Sequence, residues 1–231
     1  MEILPNIHQI DGGGVNAYLI YEPGGLTLID TAYIGTVDKI LSLIRALGRE
    51  PTDVKHILLT HRHPDHVGGA ANLRQVTHAK VWAPQPDAKA ISEDPSATFP
   101  VAPLGTMMRL VGGKSSTPLP CAVDETLLDG TMLPVLGGLK VVWTPGHTHG
   151  HCSLYHPEQQ ILFAGDAVMT FGGKVRPTFP FLCDSYEESC RSIRDHLAPI
   201  PTKHVLAGHG KPLQKDVPQH FERLARRFAG M

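Results

Sequence analysis

"THRHPDHVGG", residues 60–69, places three histidines and an aspartate within six positions: His61, His63, Asp65 and His66. It follows "HILL", a short apolar run that reads as a buried strand, and it leads into "VGGAANLR", which reads as the opening of a helix. On layered α/β scaffolds the loops beyond strand ends are where sites are built. Crowded imidazoles repel one another once protonated. A bound cation removes that problem, because its charge holds the imidazoles neutral and stabilises the neighbouring carboxylate. Neutral imidazoles and carboxylates are also the ligand set of zinc and related divalent ions. The H-x-H-x-D-H pattern is therefore read as a metal site, with His61 and His63 converging on one ion and Asp65 and His66 facing a second.

Outward from this stretch, the chain alternates strands and helices. "IHQID", "VNAYLIY" and "LTLID" read as strands separated by "GGG" and "EPGG". Val37, Ile40, Leu41, Ile44 and Leu47 then share one helical face over residues 36–47, with Gly48 as the stop. "HILLT" (56–60) and "KVW" (80–82) read as strands and residues 84–91 as a short helix. Strand signals return in "LKVVWT" (139–144), "CSLYH" (152–156), "QILFAG" (160–165) and "HVLAG" (204–208). Residues 185–197 predict a helix opened by a capping box of Ser185 and Glu188, and residues 217–228 predict another with Phe221, Leu224 and Phe228 inward. Two such stretches, each opening on hairpin-like strands, predict two sheets packed together and covered by helices, within one α/β domain spanning 1–231. Residues 92–125 break the rhythm with five prolines and no sustained period. They read either as a surface excursion or as a lid or substrate-pocket wall, "FPVAPLGTMMRLV" being the part that would face a ligand.

Composition narrows the function classes. The 231 residues are 42% hydrophobic with a formal net charge of −1, and Lys and Arg are dispersed. No basic stripe is present to grip a phosphate backbone, so no nucleic-acid partner is expected. No apolar run approaches the roughly 20 residues that span a bilayer. "MEILPNIHQIDGGG" lacks the basic start and apolar run of an export signal, so a cytoplasmic protein without membrane attachment is expected. Cys121, Cys152, Cys183 and Cys190 form no C-x-x-C pair and read as small apolar residues in a reducing compartment.

Three further segments put His or Asp just beyond a strand and beside glycine: "TPGHTHGH" (144–151), "FAGDAV" (163–168) and "LAGHGK" (206–211). With H-x-H-x-D-H preceding them in that order, the chain resembles the metallo-β-lactamase superfamily, and more closely its glyoxalase II-like and lactonase-like branches. "VNAYLIYEPGGLTLIDTA" resembles the family's opening strands, and the likeness covers nearly the whole chain. The resemblance implies a four-layer αβ/βα sandwich with a dinuclear site at one edge. It implies that His61, His63 and His147 hold a first metal, that Asp65, His66 and His209 hold a second, and that Asp166 bridges both. Asp65 would also orient the bridging water. Zinc is the first choice for the two divalent ions, and this donor set also accepts iron or manganese. Two ions about 3.5–4 Å apart lower the pKa of a shared water toward about 7, and the resulting hydroxide attacks the carbonyl of a small thioester, ester or lactone.

The remaining candidates carry lesser roles. By resemblance, His151 supports the 144–151 loop and Asp30, in "LIDTA", supports the site loops. His149 stands where the family has proline and reads as solvent-facing. His8, His56, His78, His156, His196, His204 and His220 read as structural or surface groups. After Asp166, the apolar Met169, Phe171, Phe179 and Phe181 beside Arg176 suit a small acyl substrate bearing a carboxylate; buried core or a homodimer contact are the alternatives. Only 22 residues follow His209, too few for the glutathione-binding helical domain of glyoxalase II, and Met169 replaces a tyrosine of the acyl-homoserine lactonases. A β-lactam hydrolase is the alternative activity. A catalytically silent metal-binding or ligand-sensing module is the alternative of another class.

Overall fold

The computed structural model describes residues 1–99 and 117–231. These form two compact units, Met1–Thr126 and Leu127–Met231. In the first, one sheet runs in chain order through β1 (Glu2–Leu4), β2 (Ile7–Asp11), β3 (Asn16–Glu22), β4 (Gly25–Ile29), β5 (Val54–Leu58), β6 (Lys80–Pro84) and β7 (Glu125–Leu127). Strands β1 to β4 pair antiparallel, whereas β4, β5 and β6 pair parallel. Parallel neighbours need crossovers, and helices supply them. α1 (Val37–Ala46) joins β4 to β5, while α2 (Pro64–Val67) and α3 (Ala70–Thr77) join β5 to β6. α4 (Gln85–Ser92) follows β6.

The apolar stripe of α1 behaves as its spacing predicts. Ile40, Leu41 and Ile44 are buried and share one core with Leu19, Leu28 and Ile57 of the sheet and Leu73 of α3. Fully burying a side chain of this size contributes about 1.5–3 kcal/mol. Gly48 ends the segment at φ +71, its N–H donating to the Arg45 carbonyl at 2.9 Å. Strand β5 stops at Leu58, two residues before the end of "HILLT", and Leu59 and Thr60 lead out toward the histidines.

The second unit carries a sheet ordered β14-β11-β10-β9-β8, from β8 (Met132–Leu133), β9 (Leu139–Trp143), β10 (Cys152–His156), β11 (Ile161–Gly165) and β14 (His204–Ala207). Only the β11–β14 pair is parallel within it. Its crossover contains α5 (Tyr186–Ser192), whose N-cap Ser185 Oγ accepts the Glu188 N–H at 3.3 Å. The helix expected to reach Leu197 changes pitch at Ile193, and a π-helical turn, Ile193–Leu197, completes it with both end residues buried. Cys190, Ile193 and Leu197 pack with Leu162, Val205 and the Phe221, Leu224 and Phe228 face of α6 (Val217–Arg227). Each unit thus sets helices against a sheet, as an α/β reading requires.

Besides the short β7 and β8, one hairpin escapes the sequence reading. A hairpin of β12 (Val168–Phe171) and β13 (Lys174–Pro177) turns on Gly172 and Gly173, at φ +61 and +67. Two consecutive glycines with positive φ suit a two-residue hairpin turn. The irregular 92–125 segment contains a short 3-10 helix, Pro95–Thr98, and a buried Cys121. The proposed lid sequence "FPVAPLGTMMRLV" lies, apart from Phe99, outside the described residues. Among the described residues no helix is long and apolar enough to cross a membrane. All four cysteines are free thiols, and burial pushes Cys121 up to about 11 and Cys183 up to about 12, which suits inert apolar residues.

Asp124 ties the chain back to the first sheet. Its carboxylate accepts from Arg74 of α3 at 2.7 Å and from the Val81 N–H at 2.8 Å, and the Arg74 hydrogen bond in particular holds its pKa below the usual carboxylate value. A partly exposed pair contributes about 0–1 kcal/mol and the backbone bond about 1 kcal/mol. Asp124→Asn should therefore lower the melting temperature by about 2–6 °C at neutral pH. A group with a depressed folded pKa stabilises above its unfolded value and loses that contribution as pH falls through the folded one. The gap between wild type and variant should accordingly close below about pH 4 in a pH series of thermal melts.

Candidate metal centre

In the first unit the donors gather where β4 and β5 end. Asp30 follows β4 at φ +57, a left-handed conformation that aspartate tolerates better than most residues. Its carboxylate accepts from the Thr60 N–H, from the Thr60 hydroxyl and from His66 Nδ1, each at 2.8 Å. A carboxylate only accepts, so the Thr60 hydroxyl proton points to Asp30. The contact of 3.0 Å between Thr60 Oγ1 and His61 Nδ1 is then donated by the imidazole. Both His61 and His66 are assigned by this network as Nδ1–H tautomers, which makes Nε2 the atom of each that could ligate a metal.

The neighbouring donors are equally constrained. His61 and His66 are fully buried and His63 is 4% exposed; ring centroids lie 4.8 Å apart for His61–His63 and 4.1 Å apart for His61–His66. Ligating atoms of His61 and His63, of His61 and His66, and of Asp65 and His66 fall within 4.8 Å of each other. Asp65 and His66 share the single turn of α2, whose His66 carbonyl accepts from both the Thr31 N–H and the Thr31 hydroxyl at 2.8 Å. Between the two histidines of the H-x-H segment, Arg62 turns toward α4. Asp87 accepts from the Arg62 backbone N–H at 2.9 Å and from Nη1 at 3.1 Å, while Nε donates to the Ala97 carbonyl at 2.9 Å. Asp87 is 1% exposed, so the peptide between His61 and His63 is clamped by a buried carboxylate.

In the second unit Asp166 Oδ2 lies 3.4 Å from His147 Nε2 and 3.2 Å from His209 Nε2. A directed chain of hydrogen bonds seats Asp166. Its N–H donates to His151 Nε2 at 2.9 Å, which makes His151 Nδ1 the donor to Thr144 Oγ1 at 2.8 Å. Thr144 then donates to Ser153 Oγ at 3.0 Å, and Ser153 to the Ala164 carbonyl at 3.1 Å. Thr178 Oγ1 donates to the Asp166 carbonyl. The loop bearing His147 rests on α5: the Ser185 N–H donates to the Gly146 carbonyl at 2.9 Å and the Asp184 N–H to that of His147 at 3.1 Å. Gly146, at φ +125, admits no side chain, because a Cβ there would stand 2.1 Å from the Ser189 nitrogen. His209 is held by strand β12, whose Thr170 N–H donates to the His209 carbonyl at 3.0 Å.

Each unit therefore brings together the donors expected of it: His61, His63, Asp65 and His66 in the first, and His147, Asp166 and His209 in the second. In each unit these imidazoles and carboxylates are donors of the kind that fits a divalent ion. His151 and Asp30 stand behind the donors as the resemblance implies, and His149 is exposed. His156 serves the fold, bonding the Leu136 carbonyl through Nε2 at 2.7 Å, and His78 ends α3 at φ +58. Sequence reasoning missed Thr60, Asp87, Thr144 and Thr178. The only signal for Asp87 was its position four residues before Ile91 on the buried face of α4.

Comparison with known proteins adds relatives. A family model described as the metallo-beta-lactamase superfamily matches residues 10–209. Protein YobT of Bacillus subtilis is 33% identical over 212 residues, covering 87% of this chain and 84% of that protein. A hydroxyacylglutathione hydrolase of Rhodopseudomonas palustris is 32% identical over 174 residues, covering 73% of this chain and 54% of the enzyme. The chain thus spans about half the length of that relative. A metallo-beta-lactamase family protein from Thermus thermophilus superposes with a TM-score of 0.74 at 28% identity, covering 99% of this chain and 81% of that one.

Loss of a group that orients a metal ligand typically weakens metal binding about 10–100-fold. Asp87→Ala should weaken zinc binding by about 10-fold or more in competition with a chromophoric chelator, and Asp87→Asn less, since the amide oxygen still accepts the Arg62 N–H. Wild-type affinity in a folded Asp87→Ala protein would remove the clamp from the site.

Proposed function

This chain belongs to the metallo-β-lactamase superfamily of hydrolases, and on that premise we propose that it is a dinuclear metal-dependent hydrolase of small thioesters, esters or lactones. His61, His63 and His147 would hold one ion, Asp65, His66 and His209 the other, and Asp166 both. The observation that supports this reading is the Asp166 carboxylate, one oxygen of which lies 3.2 and 3.4 Å from the imidazoles of His209 and His147, which the family resemblance assigns to different ions. The family match supports joining the two donor sets, since one model runs from residue 10 to 209 and includes every motif. We read the chain accordingly as one catalytic domain. Zinc suits the donors best, with iron and manganese next.

When bound, paired divalent ions supply a water activated near neutral pH and a Lewis acid for the carbonyl oxygen. The chain's own residues do the positioning. Asp30 fixes the tautomers of His61 and His66, and the Asp87–Arg62 clamp fixes the peptide between His61 and His63. His151 sets the backbone of Asp166. Asp65, with 18% of its side chain exposed, orients the attacking water, takes its proton and returns it to the departing thiolate or alkoxide. The thioester assignment draws on the hydroxyacylglutathione hydrolases, whose named substrate is an acylated thiol. The β-lactam reading has support at the level of fold, from subclass B3 neighbours of 22–24% identity. The partner we propose is a small acyl substrate rather than a nucleic acid.

Stripping metal with a chelator should abolish turnover on a thioester and lactone panel, and zinc should restore it, with about two ions per chain by elemental analysis. Asp65→Ala should stay folded by circular dichroism while kcat falls about 10²–10⁴-fold. Near-normal turnover in that variant would refute its role. A fully metallated wild type inert on the whole panel would favour a binding module.

A further inference from the structure

Four of the chain's seven phenylalanines, Phe99, Phe163, Phe221 and Phe228, are at most 5% exposed. The other three fall within residues 171–181: Phe171 is 43% exposed, Phe179 51% and Phe181 66%. Phenylalanine rings left in water at one place, in a chain that buries its other phenylalanines, suit a surface that meets an apolar group. Phe179 and Phe181 are also ordered against each other, with ring centroids 5.5 Å apart and planes inclined by only 15°. Pro180 stands between them and opens a 3-10 turn, Pro180–Leu182, closed by the Leu182 N–H donating to the Phe179 carbonyl at 2.9 Å.

The position of this pair matters as much as its exposure. Thr178, immediately before Phe179, donates its hydroxyl to the Asp166 carbonyl. Asp184, three residues beyond Phe181, donates its N–H to the His147 carbonyl at 3.1 Å. The turn that presents the two rings is therefore strung between backbone atoms of two donor residues, wholly within the second unit. An apolar group seated on the rings would be held at a distance fixed relative to His147 and Asp166.

We propose that Phe179 and Phe181 form an acyl-binding shelf beside the metal centre, so that the substrate is a thioester or ester with a medium-chain or aryl acyl group. This rests on the hydrolase reading given above. Stacked rings offer a flat face that a methylene chain or aryl ring covers without needing a directed polar partner, so selectivity follows acyl length and area. Residues that seat the acyl group act on the ratio of rates between substrates, whereas residues that only support the fold depress all rates together.

The test uses the metal-loaded full chain and its Phe179→Ala/Phe181→Ala double variant on acetyl, butyryl, octanoyl and decanoyl thioesters. The wild type should favour the longer acyl groups. In the double variant the ratio of kcat/KM for decanoyl over acetyl should fall about 10-fold or more, and Phe179→Leu/Phe181→Leu should recover part of it. An unchanged ratio, or an equal loss across the series, overturns the shelf. Calorimetric titration with decanoate separates this outcome from failure of the hydrolase reading. If the wild type hydrolyses neither this series nor the thioester and lactone panel, that reading fails, yet decanoate binding that the double variant weakens still supports the shelf. Decanoate binding equal in the two proteins overturns it. So does a wild-type dimer that the double variant splits without changing the chain-length profile, which would make the rings a contact between copies of this chain.

Discussion

One buried carboxylate, that of Asp30, orients two imidazoles, and the first donor set depends on it. The cause lies in the sheet. Because β4 and β5 run parallel, they end on the same side, and Asp30 and Thr60 emerge from them together. Antiparallel strands would have delivered the two residues to opposite ends. The left-handed backbone at Asp30 then directs its carboxylate into three hydrogen bonds at once, and Thr60 extends its reach to a ring that Asp30 does not touch. Strain at one residue is offset by satisfied polar groups around it.

The second unit reaches a similar end by another route. There the anchor is a backbone N–H, that of Asp166, and the direction of four successive hydrogen bonds follows from which atom must accept. In both units hydroxyl side chains, Thr60 in one and Thr144 and Ser153 in the other, pass orientation from the scaffold to the donors. A hydroxyl can donate one bond and accept another, so it transmits direction where a carboxylate, which only accepts, would end the chain.

Much of this was legible in the residues. The stripe of Ile40, Leu41 and Ile44, the Ser185 cap and the β-branched runs of the strands report local physics, and the elements they predict are present. The histidine and aspartate motifs were legible for a different reason: few other arrangements justify crowding such groups beside glycines. What stayed hidden is non-local. Asp87 reads as one more helix-surface acid until the fold brings α4 beneath Arg62, and Thr178 has no pattern that points to Asp166. The hairpin at Gly172–Gly173 was legible in principle, but its aromatic residues invited a reading by chemistry before one by backbone.

The glycines at the hairpin and against it differ sharply in freedom. Beside His209, Gly210 lies so close to β12 that a Cβ would stand 1.9 Å from the Thr170 carbonyl, whereas at Gly172 and Gly173 a Cβ would meet nothing within 4 Å. Gly210, packed against β12, is sterically closed to every other residue type, while the hairpin tip is limited by backbone angle alone, which asparagine tolerates. Substitutions at the tip can therefore change the outer surface, while Gly210 keeps its neighbour His209 seated against Thr170.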